Sequence, residues 1–167
     1  MLKVKVLSQI NILLVVFLLL QACSGNGFHL RKELDLPQKF QRIQIENLSY
    51  ENSFVKALEA ELEESGGQLL EKAPTKIIIN NFREGKRVIA YTDERKAREF
   101  LLSLKFEYLI SSTVKDSPIK HRINLDRVFI YDSDFALGKA EEESKIRQNL
   151  YKEAARLILL KLQYSNE

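Results

Sequence analysis

The chain has 167 residues, 45% of them hydrophobic, with 26 Lys and Arg against 23 Asp and Glu and a single cysteine. That length holds one domain with a real core, and the near-balance of charge excludes a nucleic-acid binder, which carries a strong basic excess. One cysteine also excludes an intrachain disulfide, so stability must come from packing.

The order begins with Lys3 and Lys5, then an apolar run over residues 10–20 broken only by Asn11. A charged head, an apolar middle and a small residue before a break form the pattern of a secretory signal peptide. The run of 11 residues is about half of the ~20 that a membrane-spanning helix requires. Leu20-Gln21-Ala22-Cys23 resembles the bacterial lipobox, in which the cysteine thiol receives a diacylglyceryl group and becomes the first residue after cleavage. A short N-terminal transmembrane anchor and an ordinary cleaved signal that leaves a free thiol are the competing readings. Against both, the chain's one cysteine falls where the lipobox requires it, and an exported protein with one leftover thiol is odd. The expected organisation is a signal peptide over residues 1–22, a lipidated tether over 23–37 and one domain over 38–167. Two or three acyl chains, at about 0.8 kcal/mol per buried CH₂, anchor a protein effectively permanently. Without residues 1–22 the balance is 24 basic against 23 acidic residues.

Within the tether, Gly25, Asn26 and Gly27 loosen the backbone, and Gly27-Phe28-His29-Leu30-Arg31 reads as a short strand or collar. Residues 40–47, with Ile43 and Ile45 at period two, predict a strand. Asn52 then caps a helix over 53–65, with Phe54, Ala57, Leu58 and Leu62 on one face and the glutamates mostly elsewhere. Gly66-Gly67 supplies a left-handed stop, and a brief piece over 68–71 leads to Pro74. Ile77-Ile78-Ile79 starts a strand that resumes at 88–92 after an interruption at Glu84-Gly85-Lys86. In the next strand Phe100, Leu102, Leu104, Phe106, Tyr108 and Ile110 alternate with Ser103, Lys105, Glu107 and Ser111, a half-buried antiparallel pattern. Asp116-Ser117-Pro118 predicts a turn, and 119–131 returns with Ile123, Leu125 and Phe129 on one side. The longest helix is expected over 141–163, with a stripe of Ile146, Leu150, Ala154, Leu157, Ile158 and Leu162. Its glutamates come first and its basic residues later, which suits the helix dipole. The order β-α-β-β-β-α predicts an α+β two-layer sandwich, two helices on a mostly antiparallel sheet of about four strands.

A catalytic constellation is hard to find. His29 and His121 have no second ligand at metal spacing, no serine sits in a nucleophile elbow, and no glycine-rich phosphate loop follows a strand. Asp132 and Asp134 lack the glycine and distal glutamate of an EF-hand loop and read as a solvated strand end, while His121 reads as an edge or satisfied histidine. The expectation is a protein that is no enzyme, with no metal and no cofactor beyond the covalent lipid on Cys23. What remains is charge. Arg83, Lys86 and Arg87 cluster at the strand interruption, and Arg95, Lys96 and Arg98 cluster at the next turn. Such a loop end either holds a phosphorylated anionic ligand or is a solvated rim.

Cys23 followed by Gly27-Phe28-His29-Leu30-Arg31, the strand over 97–110, and Phe135-Ala136-Leu137-Gly138-Lys139 with Glu141-Glu142-Glu143 and Leu150-Tyr151-x-x-Ala154-Ala155 together resemble the LptE family of lipopolysaccharide-assembly lipoproteins. The likeness spans nearly the whole mature chain, and the order of its motifs says more than any one of them. It implies an outer-membrane lipoprotein on the periplasmic face that plugs and helps assemble the LptD β-barrel and binds lipopolysaccharide during delivery to the outer leaflet. By that resemblance Lys139 corresponds to the family's lysine before the last helix. Arg95, with Lys96 and Arg98 close by, stands nearest to its basic loop residue. The spacer Ser24-Gly25-Asn26 departs from the family pattern, as does the lack of a polar C-terminal extension. The rival reading is a non-catalytic accessory or scaffold lipoprotein of another envelope complex, without a ligand of its own.

Overall fold

The computed structural model describes residue 34 and residues 36–112, 115–131 and 136–164. Cys23, His29, the stretch 27–31, and Asp132 and Asp134 lie outside the described residues. The elements are β1 (Arg42–Glu46), α1 (Ser53–Glu64), β2 (Gln68–Leu69), β3 (Thr75–Tyr91), β4 (Ala97–Ser112), β5 (Lys115–Ile130) and α2 (Ala136–Gln163), with a 3₁₀ turn at Gln38–Phe40 ahead of β1.

Both helices lie against one sheet, the α+β arrangement expected, but the sheet has five strands in the order β2-β1-β3-β4-β5 rather than about four. The added strand is the brief piece after the double glycine, which pairs through Arg42 with Gln68 and Ile43 with Leu69. β1 runs parallel to both β2 and β3, while β4 is antiparallel to its two neighbours, β3 and β5. A helix between β1 and β2 returns the chain to the same end of the sheet, so parallel pairing follows, and the sheet is mixed.

Local chemistry sets the helix ends. The Asn52 side chain accepts from the Phe54 N–H at 2.9 Å, satisfying an orphan donor of the first turn. At the other end Gly66, with φ +75°, donates to Glu63 and Gly67 donates to Leu62, the paired closure that a left-handed glycine permits.

Two expectations about β3 and β5 are corrected. β3 runs unbroken through Glu84-Gly85-Lys86. Its irregularities lie to either side: register slips earlier, between Asn80 and Arg83, where Asn81 takes φ +55°, and again between Val88 and Tyr91. One extra residue turns the alternation over. Ile77 and Ile79 face the helices before the bulge, and Glu84, Lys86 and Val88 stand opposite Leu104, Leu102 and Phe100 after it. The turn expected at Asp116-Ser117-Pro118 falls inside β5, because Ser112 already pairs with Lys115. Pro118 signals a turn in sequence, yet an outermost strand has N–H groups that need no partner, and proline fits there.

The core lies between the helix pair and the sheet. Phe54, Leu58 and Leu62 of α1 meet Ile43, Ile77, Ile79, Leu104 and Phe106, and α2 adds Leu150, Ala154, Ile158 and Leu162. Phe54, Phe82 and Phe106 form a tilted aromatic cluster with centroids 4.9–5.7 Å apart. α2 starts at Ala136, a turn before the expected position. Leu157, expected in its buried stripe, is 39% exposed, and Tyr151, Ala155 and Leu159 are buried instead. Glu61, expected to be solvated, is buried at the α1–α2 contact, where Lys152 reaches it at 2.8 Å.

Candidate functional site

Of the cations singled out in the sequence, Arg95, Lys96 and Arg98 gather at the β3–β4 end of the sheet, while Arg83, Lys86 and Arg87 lie along β3 on its two faces. The β3–β4 turn is tight. Thr92 N–H donates to Lys96 O at 2.8 Å, Arg95 N–H donates to Thr92 O at 2.9 Å, and Arg95 holds φ +61°. This geometry projects Arg95 and Lys96 outward, and both are exposed, as is Arg98 at the start of β4. Lys96 pairs with Glu94 at 2.9 Å; among the described residues Arg95 and Arg98 have no ion-pair partner. Tyr131 N–H donates to Arg98 O at 2.6 Å, so the chain leaves β5 beside Arg98 and enters α2 at this same end.

Lys139 sits in the first turns of α2, mostly covered, and pairs with Glu142 at 2.6 Å. The structure therefore brings Lys139 and the hairpin cations to one end of the domain, with Lys139 and Lys96 each in a local ion pair.

The cluster Arg83, Lys86 and Arg87 lies wholly beyond the bulge and is split by the alternation of the strand. Arg83 and Arg87 stand opposite Lys105 and Leu101 on the face that the helices leave open. Lys86 turns under α2. Its ammonium lies 2.5 Å from Glu143 and over the rings of Phe100 and Phe129 at 4.5 and 5.4 Å, a favourable cation–π position. Arg147 completes the group, 2.7 Å from Glu143 and 4.0 Å from Glu84. Burial works to raise the Glu143 carboxyl, but Lys86 and Arg147 outweigh it and hold it below its ordinary value. The Tyr151 hydroxyl is pushed up to about 12, by burial first and then by its bond to the Glu84 carboxylate. Arg127 similarly ties β5 to Glu153 of α2. These polar ties fasten the helix to the sheet, and no periodicity in the sequence announces them.

His121 stacks against Tyr108 at 5.1 Å, half-covered. Its pKa is lowered, chiefly by burial and then by the positive charge of Lys161. Among the described residues no group of three His, Cys, Asp or Glu is placed to hold a metal ion, and no helix is long and apolar enough to cross a membrane. Around the cationic end several apolar side chains stay in solvent, among them Ile89, Tyr91, Val128 and Ile130. The sequence reading missed this juxtaposition of cations with exposed apolar groups. Alternation over β5 would have put Val128 and Ile130 on the face opposite Phe129.

Comparison with known proteins agrees with this fold. The lipopolysaccharide-assembly family LptE matches over residues 40–162. An uncharacterized lipoprotein B from Nitrosomonas europaea, solved in solution, superposes with a TM-score of 0.63 at 23% identity, covering 83% of this chain and 91% of its own. The rare lipoprotein B from Shewanella oneidensis gives 0.62 at 14% identity over 72% of this chain and 92% of its own. A minor lipoprotein from Acinetobacter baumannii gives 0.59 at 16%, over 76% and 93%. No curated protein matches the sequence.

Proposed function

The chain belongs to the lipopolysaccharide-assembly (LptE) family, and on that premise we propose that it is an outer-membrane lipoprotein, anchored through Cys23 at the periplasmic face. It plugs and helps assemble the LptD β-barrel, and it binds lipopolysaccharide on its way to the outer leaflet. The observation that carries this reading is the family match over residues 40–162, which takes in both helices and the long antiparallel strands. The cationic end supports it. Arg95 and Arg98 are exposed beside apolar Val128 and Ile130, an arrangement suited to an amphiphile that carries phosphate and acyl chains. A compact domain whose outer surface is largely polar also suits the polar lumen of a large barrel.

The experiment has two arms. Isolating the protein from membranes under mild detergent should bring down one large β-barrel protein, identified by mass, and should show a lipid-sized mass increment on Cys23. Recovery with a different envelope complex and no barrel would favour the ligand-free scaffold reading instead. In the second arm, reversing both charges (Lys139→Glu with Arg95→Glu) should cut retention of labelled lipopolysaccharide severalfold. Unchanged retention removes these two residues from the binding role.

A further inference from the structure

The open face of the sheet carries a second group of cations, away from the cationic end and on the side that neither described helix covers. A shallow groove there crosses three strands. Asn81 and Arg83 of β3, Lys105 and Glu107 of β4, and Arg122 and Asn124 of β5 line it. Arg83 stands directly opposite Lys105, and Glu107 directly opposite Arg122. Two like charges facing each other across strands cost stability, so the Arg83–Lys105 pair is not explained by the fold's own needs.

Glu107 organises the rest. Its carboxylate accepts from Arg122 at 3.1 Å and from the Asn81 amide at 3.1 Å, and Lys120 lies 2.8 Å away. Asn81 reaches it from the bulge, where its left-handed φ aims the side chain into the groove. Lys105 has only a long contact to Asp126, 3.9 Å, and Arg83 has no ion pair among the described residues. Four cations, Arg83, Lys105, Lys120 and Arg122, thus share two carboxylates, Glu107 and Asp126. The charge left over matches a doubly charged anion. Arg83 supplies a bidentate fork and Lys105 a point charge, the two complementary ways of holding phosphate oxygens.

We propose that this groove binds a phosphate monoester dianion between Arg83 and Lys105, with Arg122 held ready by Glu107. The proposal uses none of the residues assigned above to lipopolysaccharide, and it stands or falls separately from that reading.

The test titrates the full chain in nonionic detergent with glucose 1-phosphate, followed by calorimetry, with glucose as the uncharged control. Glucose 1-phosphate should bind and glucose should not. The double variant Arg83→Ala/Lys105→Ala should bind at least about tenfold more weakly, as loss of charge-assisted contacts to phosphate predicts. It removes a repulsive pair, so its circular dichroism should stay that of the parent and its melting temperature should be no lower. Arg83→Lys/Lys105→Arg, which keeps both charges, should retain most of the affinity. Lys139→Glu should leave the affinity unchanged. Dihexanoyl phosphatidic acid, below its micelle concentration, should bind about as well as glucose 1-phosphate if the phosphate is what is recognised. The proposal is overturned by no binding of glucose 1-phosphate, by equal binding in the folded double alanine variant, by loss with Lys139→Glu, or by binding of the phosphatidate alone.

Discussion

At the scale of single residues, Glu107 has the clearest titration. Its bonds to Lys120 and Arg122 hold its carboxyl down to about 2 from an ordinary 4.5, against a smaller opposing push from burial. A folded pKa below the unfolded one means that the stabilisation is complete above about 4.5 and disappears as pH falls toward 2. Glu107→Gln should therefore lower the melting temperature at pH 7 and converge on the parent as pH falls toward 2, flattening the acid limb between those two values. An acid limb identical to the parent's would show that the carboxylate contributes nothing through its partners. The residue scale is also where sequence reading was weakest. Arg83, Lys86 and Arg87 look like one basic cluster in the chain, yet strand alternation beyond the bulge at Asn81 turns Lys86 to the helices and Arg83 and Arg87 to the open face. Bulges obey backbone geometry that composition does not encode, so Asn81 gave no signal of its own. Buried Glu61 was equally invisible, since its partner Lys152 lies ninety-odd residues away on the other helix.

At the scale of elements, the helices were legible because their signals are local. Asn52, the Phe54-Leu58-Leu62 spacing and the double glycine fixed α1 within a residue. The turn after α1 is less forgiving than its sequence suggests. A methyl group on Gly67 would sit 2.5 Å from Leu62 Cδ1 and 3.0 Å from the Gln41 carbonyl, and Leu62 is fully buried. Gly67→Ala should cost about 1–3 kcal/mol by overpacking, read as a lower midpoint in urea unfolding. A midpoint equal to the parent's would mean that Leu62 and the β1 backbone yield freely. The long strands of alternating residues, β4 above all, were legible for the same reason as the helices. β2 was not, since two residues are too short for any period to register. Its pairing comes from the crossover that lays it beside β1. Pro118 misled in the opposite sense, because its meaning depends on whether the strand has a neighbour on that side.

At the scale of the whole molecule, the architecture followed from element order, while the polar ties between α2 and the sheet did not. Lys86, Glu143, Arg147, Glu84 and Tyr151 come from segments far apart in sequence. Only the parity change in β3 turns the first and fourth of them toward the helix. The candidate site is likewise half legible. Which residues carry charge was plain, but which of them face one another was a property of register. α2 matters most to the whole, contributing Leu150, Ala154, Ala155, Ile158, Leu159 and Leu162 to the core. Ending the chain before Leu150 should leave a product that binds a hydrophobic dye and gives no cooperative melt, since the side chains beneath would lie in water. A sharp melt from that product would show that α1 and the sheet suffice.

That helix follows α1 and every described strand in the chain. Synthesis delivers α1 and the five described strands before the segment that shields much of their apolar side. The apolar side chains that Leu150, Ala154, Ile158 and Leu162 cover therefore stay in contact with water until that stretch has been made.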